Sequence, residues 1–382
     1  MKKLSVLVNA RLLLNNRLEG LGVFKYEILK RLCIEHPEID FHFIFDRSFD
    51  TGFVFSSNVF PHVINPPTRH PFLWWWWLEY GLPRVAKKLK CDVFLSLDGM
   101  GSMHLKIPQV LVIHDLNFIH RPFDLPVLVQ KFYNRNFRLY ANKACKLFTV
   151  SEFSRQDLAF QYQLDMKNIG LSYNALPSLF FEDGELERWN LIYKKKQESE
   201  PYFVYVGAIH PRKNLETLLE AFHIFKNTHP GSHQLAIAGK CVRFYKDEWN
   251  ALVNNHPNKN DILVLGRISE PQKHALLSNA LALVYPSFFE GFGIPILEAW
   301  AAQTAVLTSN RTALPEVAGN AAVCIDPNEP QQWAAEMKNM VLKPEWRSSL
   351  IEKGKNRLTY FSWDKSARNI WDGLIECTKT QA

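Results

Sequence analysis

Short apolar runs alternate with amphipathic stretches along the whole chain. The first half contains five such runs, each bounded by polar or turn residues: Leu4–Val8, Phe41–Phe45, Val93–Leu97, Val110–Ile113 and Leu147–Val150. They are largely apolar and do not alternate with polar positions. This pattern is typical of strands buried on both faces, as in a parallel sheet covered by helices.

The same rhythm restarts after a polar stretch around residues 182–200. Six further runs predict a second set of strands: Phe203–Val206, Gln234–Ala238, Ile262–Leu265, Leu281–Tyr285, Ala305–Thr308 and Ala322–Ile325. After the first of these, apolar residues at helical spacing predict an amphipathic helix over residues 215–225. Two successive sets of β-α units predict two doubly wound α/β domains, which bind ligands beyond the carboxyl ends of their strands.

Composition agrees with a two-domain globular protein. The chain has 382 residues, which is too long for one ordinary core, with 47% hydrophobic and 22% charged residues. The net charge is +7, but no dense basic block with interleaved aromatics predicts nucleic-acid binding. Six scattered cysteines without a Cys-x-x-Cys pair predict reduced core thiols in a cytoplasmic protein. No apolar run approaches the roughly 20 residues needed to span a bilayer.

Residues 285–299 read YPSFFEGFGIPILEA and predict a strand that enters a glycine-bracketed turn. Gly291 and Gly293 allow backbone N–H groups to approach a ligand closely, and Pro295 is predicted at the first helical position. The start of a helix carries partial positive charge suited to phosphate. We therefore predict that the backbone of Gly291, Phe292 and Gly293 binds a phosphorylated ligand.

Two carboxylates flank this predicted anion site. Glu290 lies on the turn, and Glu298 lies eight residues later, where we predict the first turn of the helix. Carboxylates at these positions accept charge-assisted hydrogen bonds from sugar and ribose hydroxyls. The alternative is a tight strand-to-helix turn with two solvated acids, since acidic residues also stabilise a helix N-terminus.

A second candidate site is the basic loop of residues 203–214, FVYVGAIHPRKN. The strand ends at Gly207, and Asn214 is predicted to cap the following helix. Arg212 and Lys213 therefore lie just before a helix N-terminus, where two cations neutralise a diphosphate leaving group. The alternative is a solvated pair of basic residues.

These two segments resemble the family-4 retaining glycosyltransferases of the group 1 type. Residues 285–299 resemble the Glu-x7-Glu motif of that family. The resemblance implies that Glu290 contacts the transferred sugar and that Glu298 contacts the ribose of the nucleotide.

The basic loop resembles the family's diphosphate-binding loop. Lys213 corresponds to the family lysine. Many members have an arginine directly after the strand-end glycine, where this chain has Ala208. The resemblance therefore implies that Arg212 supplies the second positive charge from a different position.

Three further positions fit the same resemblance. His114 follows a strand in a His-Asp-Leu segment that brings the histidine to the donor sugar in the family, although a lone histidine is often structural. Gly22 belongs to a glycine loop near the donor phosphate and acceptor. As a dinucleotide fingerprint this loop is weak, because Lys25 occupies the third glycine position, and a plain loop before a helix is the alternative. Arg267 falls where the family borders the nucleotide base.

The resemblance covers nearly the whole chain and implies the GT-B fold, with two Rossmann-like domains facing a central cleft. Residues 1–180 are expected to form the acceptor-side domain and residues 200–358 the nucleotide-sugar-binding domain. Residues 359–382 are expected to form a helix that packs back on the first domain. The sequence has no Asp-x-Asp pair and no His/Cys cluster with metal-ligand spacing, so we expect neither a metal ion nor a cofactor.

The implied function is transfer of a hexose from a nucleotide sugar to an acceptor hydroxyl, in surface polysaccharide or glycolipid assembly. GDP-mannose is the first expectation for the donor and a UDP-hexose the second. A saccharide or a lipid-linked saccharide is the expected acceptor. A nucleotide-sugar 2-epimerase and a non-catalytic nucleotide-sugar binder are the alternatives, whereas an NAD-dependent dehydrogenase would need a complete glycine fingerprint.

Four consecutive tryptophans, Trp74–Trp77, point around a helix in every direction and cannot all lie on one buried face. Basic residues flank them on both sides. We expect some of these rings to be exposed and to contact an acceptor or a membrane surface, which would place the protein at the inner face of the cell membrane. A mostly buried helix is the alternative.

Overall fold

The computed structural model describes residues 3–14, 18, 20–181 and 200–379. Contacts between Cα atoms divide the chain into two compact units. The first comprises Met1–Asn174 and Ser362–Ala382, and the second comprises Ala175–Phe361. Each unit is built on its own parallel β-sheet covered by helices.

The sheet of the first unit has seven parallel strands in the order β3-β2-β1-β4-β5-β6-β7. In chain order they are β1 (Ser5–Asn9), β2 (Asp40–Phe45), β3 (Val59–Val63), β4 (Val93–Ser96), β5 (Gln109–Val112), β6 (Lys146–Thr149) and β7 (Ile169–Leu171). Val6 is paired with both Phe41 of β2 and Val93 of β4, which makes β1 central. The order of the strands reverses between β1 and β4, as in a doubly wound sheet.

Helices cover both faces of this sheet. They are α1 (Leu21–Glu35), α2 (Pro71–Trp76), α3 (Leu82–Leu89), α4 (Asn117–His120), α5 (Val127–Lys143) and α6 (Glu152–Tyr162). A π-helical turn, Trp77–Gly81, joins α2 to α3. Trp77 is fully buried in the core, whereas Trp74–Trp76 are half-buried. Three of the four tryptophans therefore keep part of their surface accessible to solvent. No described helix is both long and apolar enough to cross a membrane.

The second unit has a six-stranded parallel sheet in the order β10-β9-β8-β11-β12-β13. Its strands are β8 (Tyr202–Val206), β9 (Gln234–Ala238), β10 (Ile262–Gly266), β11 (Ala282–Tyr285), β12 (Ala305–Ser309) and β13 (Val323–Ile325). Its helices are α7 (Leu215–Thr228), α8 (Lys246–Asn254), α9 (Glu270–Ser278), α10 (Ile294–Ala301), α11 (Leu314–Ala318), α12 (Pro330–Leu342) and α13 (Pro344–Leu358). Because β8 and β11 are neighbours, the loops that follow them lie side by side.

The last helix, α14 (Trp363–Lys379), belongs to the first unit. It packs against α1, where the ring of Trp363 lies edge-on to Phe24 with centroids 5.7 Å apart. Farther along α14, the ring of Trp371 stacks on His36 with centroids 3.5 Å apart.

A disulfide joins Cys145 to Cys377 on α14. The prediction that all six cysteines are reduced core thiols is therefore wrong for this pair. The two residues are 232 positions apart, so only the packing of α14 beside β6 brings them together. Cys241 and Cys324 also depart from the prediction, because the first is half-buried and the second is exposed.

Candidate functional site

The loops after β8 and β11 are joined by direct hydrogen bonds. The backbone N–H of Phe288 donates to the carbonyl oxygen of Arg212 at 2.9 Å, and the Ser287 hydroxyl donates to the same oxygen at 3.1 Å. These bonds fix the basic loop against the Glu-x7-Glu segment. The structure thereby brings together two segments that are separate in the sequence.

Glu290 lies buried at the centre of this contact. Its Oε1 accepts hydrogen bonds from Lys213 Nζ, from the Tyr285 hydroxyl at 3.0 Å and from the Ser287 hydroxyl at 2.6 Å. Its Oε2 accepts from Arg212 Nη1 at 3.2 Å. Burial alone would raise the pKa of Glu290, but Lys213 and Arg212 outweigh burial and lower this pKa to about 2. Glu290 is therefore ionised at neutral pH.

The cluster of Lys213, Arg212 and Glu290 combines two cations with one anion. Lys213 is only 6% exposed, and its Nζ also donates to the Tyr285 hydroxyl at 2.6 Å. An ammonium group buried to this extent needs a counter-ion, because desolvation of an unpaired charge costs several kcal/mol. Glu290 provides that counter-ion in this structure. Any anionic ligand that binds Lys213 has to compete with Glu290.

The sequence analysis missed two hydroxyl groups of this cluster. Tyr285 is the last residue of β11, and Ser287 lies two residues beyond it. Both side chains are buried and bond to Glu290. The signal was a pair of hydroxyl residues at the end of an otherwise apolar strand, directly before an acid.

The glycine turn before α10 differs in detail from the prediction. Gly293 has a φ of 117° and occupies the N-cap position, so the helix begins at Ile294 and Pro295 is its second residue. Glu298 is consequently the fifth helical residue and lies in the second turn, not the first. A Cβ at Gly293 would lie 2.8 Å from Leu314 Cδ2, so both the backbone angle and the space require glycine.

The side chain of Phe292 is buried. Its ring lies edge-on to Phe361 with centroids 5.3 Å apart. Any contribution of Phe292 to the predicted phosphate site therefore has to come from its backbone N–H.

Glu298 is held by a lysine that the sequence analysis did not single out. Lys273 Nζ on α9 donates to Glu298 Oε1 at 2.6 Å and also lies 2.7 Å from Glu270 Oε2. Burial raises the pKa of Glu298, and Lys273 opposes this effect. Burial opposes the charge on Lys273 in turn, but Glu298 and Glu270 outweigh it and raise the pKa of Lys273. Lys273 therefore favours the ionised form of Glu298.

Asn214 does not cap α7 with its side chain, contrary to the prediction. It occupies the N-cap position with a φ of 57°, in the left-handed region, and no side-chain cap bond forms. Its Nδ2 instead donates to the carbonyl oxygens of Pro286 at 3.1 Å and Pro327 at 2.7 Å. Asn214 thus holds the basic loop against the loops that follow β11 and β13.

In the first unit, His114 lies just beyond β5. Its Nε2 is 3.0 Å from the carbonyl oxygen of Leu97, which can only accept a hydrogen bond. Nε2 therefore carries the proton, and Nδ1 is left as an acceptor. Burial lowers the pKa of His114 to about 4, so the ring is neutral at physiological pH. A neutral acceptor of this kind suits a hydroxyl group better than a phosphate.

The remaining predicted residues lie elsewhere. Gly22 is the buried second residue of α1. The neighbouring Lys25 is also buried, and its Nζ donates to the Asn9 carbonyl and to Asp98 at 2.9 Å each, which ties α1 to the ends of β1 and β4. Arg267 is exposed and follows β10. Because β9 lies between β10 and β8, these two strands are about 10 Å apart in the sheet. Throughout the described ranges, no group of three or more His, Cys, Asp or Glu side chains is placed to hold a metal ion.

Comparison with known proteins finds similarity in sequence to glycosyltransferases. Residues 188–357 match the family described as Glycosyl transferases group 1. The chain is 28% identical over 257 residues to O-antigen chain mannosyltransferase B of Escherichia coli, and the match covers 67% of each protein. It is 27% identical over 326 residues to O-antigen chain mannosyltransferase RfbU of Salmonella typhimurium, with 84% of each covered.

Solved structures identify the fold. The structure of Anabaena Alr3699/HepE in complex with UDP and glucose is similar with a TM-score of 0.75 and 14% sequence identity. The similarity covers 98% of this chain and 100% of that chain. The predicted fold class, two Rossmann-like parallel-sheet units of the GT-B type, is confirmed. The chain is a glycosyltransferase, and its residues 188–357 are similar to the group 1 glycosyltransferases.

Proposed function

We propose that this glycosyltransferase moves a hexose from a nucleotide sugar to an acceptor hydroxyl, with retention of anomeric configuration and without a metal ion. The observation that carries the proposal is the contact of the buried Glu290 with the buried Lys213 and the half-buried Arg212. A nucleotide sugar presents both a diphosphate for the two cations and sugar hydroxyls for the carboxylate. The loop of Gly291 and Gly293 adds backbone N–H donors at the start of α10.

Each site residue has a separate role in this proposal. Lys213 and Arg212 take the diphosphate, which releases Glu290 to accept hydrogen bonds from the transferred sugar. Glu298, whose ionised form Lys273 favours, accepts hydrogen bonds from the ribose hydroxyls. His114 accepts a sugar hydroxyl at Nδ1.

The proposed reaction needs no covalent enzyme intermediate. The bond between the anomeric carbon and the leaving phosphate oxygen breaks as the acceptor oxygen bonds to the same face, through an oxocarbenium-like transition state. The leaving phosphate takes the proton of the acceptor hydroxyl. Lys213 and Arg212 stabilise the negative charge that develops on the diphosphate, and this electrostatic term supplies the largest share of the catalysis.

GDP-mannose is the proposed donor, because both curated relatives described above are named as O-antigen mannosyltransferases. A UDP-hexose is the second candidate, since Alr3699/HepE was solved with UDP and glucose. The proposed acceptor is a saccharide or a lipid-linked saccharide of surface polysaccharide assembly. We place the reaction in the cytoplasm, at the inner face of the cell membrane.

The test combines donor selection with product analysis. Thermal-shift measurements with GDP-, UDP- and ADP-sugars identify the nucleotide, and mass spectrometry then detects transfer to a lipid-linked saccharide fraction in the presence of EDTA. NMR of the product is expected to show the donor's anomeric configuration. Consumption of a UDP-sugar without acceptor would instead indicate a 2-epimerase. Donor binding without transfer to any acceptor would indicate a binding protein.

A further inference from the structure

Thr312 has a backbone conformation that is unfavourable for threonine. Its φ is 56°, in the left-handed region. There the branched side chain of threonine crowds the backbone, so a β-branched residue with such a φ is an outlier. A conformation of this kind persists only where the surrounding structure over-determines it, and such positions cluster at functional sites.

Four other non-glycine residues in the described part of the chain have a φ in this region, and each has an ordinary explanation. Lys90, Gln163 and Gln303 lie at or directly after the carboxyl ends of α3, α6 and α10, where a left-handed residue commonly ends a helix. Asn214 is an asparagine, which tolerates this conformation. Thr312 instead follows the strand β12, and it is the β-branched member of this set.

The hydroxyl of Thr312 contacts the backbone of Glu290. The backbone N–H of Glu290 donates to Thr312 Oγ1 at 3.0 Å, and the same hydroxyl donates to the carbonyl oxygen of Arg311 at 2.8 Å. The backbone N–H of Ala313 donates to the carbonyl oxygen of Glu290 at 3.4 Å. Both backbone polar groups of Glu290 are therefore bonded to the loop that follows β12.

The loop that contains Thr312 is itself anchored to the end of β13. The backbone N–H of Asn310 donates to the carbonyl oxygen of Ile325 at 2.8 Å. Arg311 Nη2 lies 2.7 Å from Asp326 Oδ2, directly after the same strand. These contacts hold the loop from one neighbour while Thr312 bonds to another, so the surrounding structure fixes the unfavourable φ.

A backbone anchor matters at Glu290 because its side chain has to change partners. The carboxylate pairs with Lys213 and Arg212 in this structure, and in the proposed function the diphosphate takes these cations from it. If the ion pair alone held Glu290, the residue would move as the pair opened. The bonds to its N–H and carbonyl oxygen do not involve the carboxylate, so they persist through the exchange. Glu290 then meets the transferred sugar from a fixed position, which reaction geometry requires.

We infer that Thr312 is a positioning residue, which holds the backbone of Glu290 while the carboxylate of Glu290 passes from the two cations to the sugar. The inference rests on the proposed function, because it concerns the step in which the diphosphate releases Glu290. Glycine at position 312 would relieve the backbone but lose the hydroxyl. Stability and catalysis therefore make opposite demands on this position, and threonine meets the catalytic one.

The experiment compares three variants of the full chain at position 312. Thr312→Val keeps the branched shape and the unfavourable φ but removes the hydroxyl. Thr312→Gly removes both the hydroxyl and the crowding, and Thr312→Ser keeps the hydroxyl. Two controls lie at exposed sites of the same unit. Thr359→Val makes the same chemical change at a hydroxyl that bonds to Asn356, and Gln303→Gly relieves a left-handed residue after α10.

The kcat for sugar transfer should fall about tenfold in both Thr312→Val and Thr312→Gly, which is the effect of losing one hydrogen bond. The KM for the nucleotide sugar should change by less than about threefold, because the two cations belong to another loop. Thr312→Ser should keep kcat within about twofold of the wild type. Thr312→Gly should melt about 2–4 °C above Thr312→Val, so turnover does not follow stability. Both controls should keep the turnover of the wild type.

Hydrogen exchange of the Glu290 amide, followed by NMR, checks the bond itself and should be about tenfold faster in Thr312→Val than in Thr312→Ser. Wild-type kcat in Thr312→Val, beside a loss in Glu290→Gln, would overturn the inference and leave the proposed function standing. A turnover that follows the melting temperature across the variants would overturn the inference as well. Wild-type turnover in Glu290→Gln would overturn the proposed function and the inference with it.

Discussion

Glu290→Gln tests whether Glu290 is the counter-ion of Lys213 and Arg212, the two cations that we propose bind the diphosphate. Glutamine keeps the size of the side chain and one carbonyl oxygen but removes the charge between Lys213 and Arg212. The pKa of Glu290 is about 2, against an ordinary 4.5. About 2.5 pKa units at about 1.36 kcal/mol each make the ionised carboxylate worth about 3 kcal/mol to the folded state. Because the folded pKa is depressed, this stability is present above pH 4.5 and lost as pH falls towards 2.

Three effects are expected for the Glu290→Gln variant at pH 7, and those on stability and on nucleotide affinity are opposite. Its free energy of unfolding in urea should fall by about 3 kcal/mol, because Lys213 loses its counter-ion in a buried environment. Its affinity for free GDP or UDP should rise at least about tenfold, because the diphosphate no longer displaces a carboxylate and restores the missing negative charge. Turnover should fall strongly, because the transferred sugar loses an acceptor of hydrogen bonds.

Isothermal titration calorimetry with the free nucleoside diphosphate measures this affinity without any contribution from the sugar. Glu352→Gln is the matched control, since it makes the same change of charge at an exposed site on α13 of the same unit. It should leave affinity, stability and turnover unchanged. Weaker binding of the diphosphate to Glu290→Gln than to the wild type would refute the idea that Glu290 and the diphosphate compete for Lys213 and Arg212.

Three further outcomes are expected. Lys273→Met should raise KM for the nucleotide sugar about tenfold, and more so as pH falls, because the buried Glu298 loses the cation that favours its ionised form. Steady-state kinetics measure this KM, and a failure of Lys273→Arg to restore it would contradict the argument. Gly293→Ala should lower the free energy of unfolding in urea by about 2–4 kcal/mol, because the new Cβ meets Leu314. Gly266→Ala, at a φ of 67° with open space around it, should lower it by about 1 kcal/mol. Equal losses in the two variants would contradict the argument that Leu314 crowds a Cβ at position 293. Nitrogen-15 NMR of the His114 ring should show a neutral Nε2–H form until pH approaches 4, and titration near pH 6.5 would contradict the burial argument.

Most of the strands that the sequence predicted are buried on both faces, and the two partly buried edge strands of the second sheet, β10 and β13, were predicted as well. Because an uninterrupted apolar run indicates burial directly, the ends of the central strands of both sheets were predicted to within a few residues. The two strands that were missed are the edges of the first sheet. β3 contains Pro61 and His62, and β7 has only three residues with Gly170 in the middle. Edge strands tolerate such residues because one side of the strand makes no ladder bonds.

A site residue was predictable where the pattern that indicates it lies within one segment of the sequence. Glu290 and Lys213 were each found from a turn or a strand end, but the hydrogen bond between them depends on β8 and β11 being neighbours. The role of Lys273 lay beyond such local reasoning. It is 25 residues from Glu298 on a different helix, and only the packing of α9 near α10 brings the two side chains together. No periodicity in the sequence indicates that Lys273 and Glu298 lie close together.

The pairing of Glu290 also explains why a motif alone does not reveal the electrostatic state of such a site. Lys213 and Arg212 lie against the same carboxylate, and two cations in a buried setting repel each other and lose hydration. An acid between them offsets both costs, so the folded protein gains stability from the same carboxylate that we propose for the sugar. If the carboxylate contacted only the sugar and not the two cations, their mutual repulsion and their lost hydration would both destabilise the folded protein. Selection for stability and selection for donor binding therefore favour an acid at this one position, and the opposite responses expected of Glu290→Gln separate the two contributions.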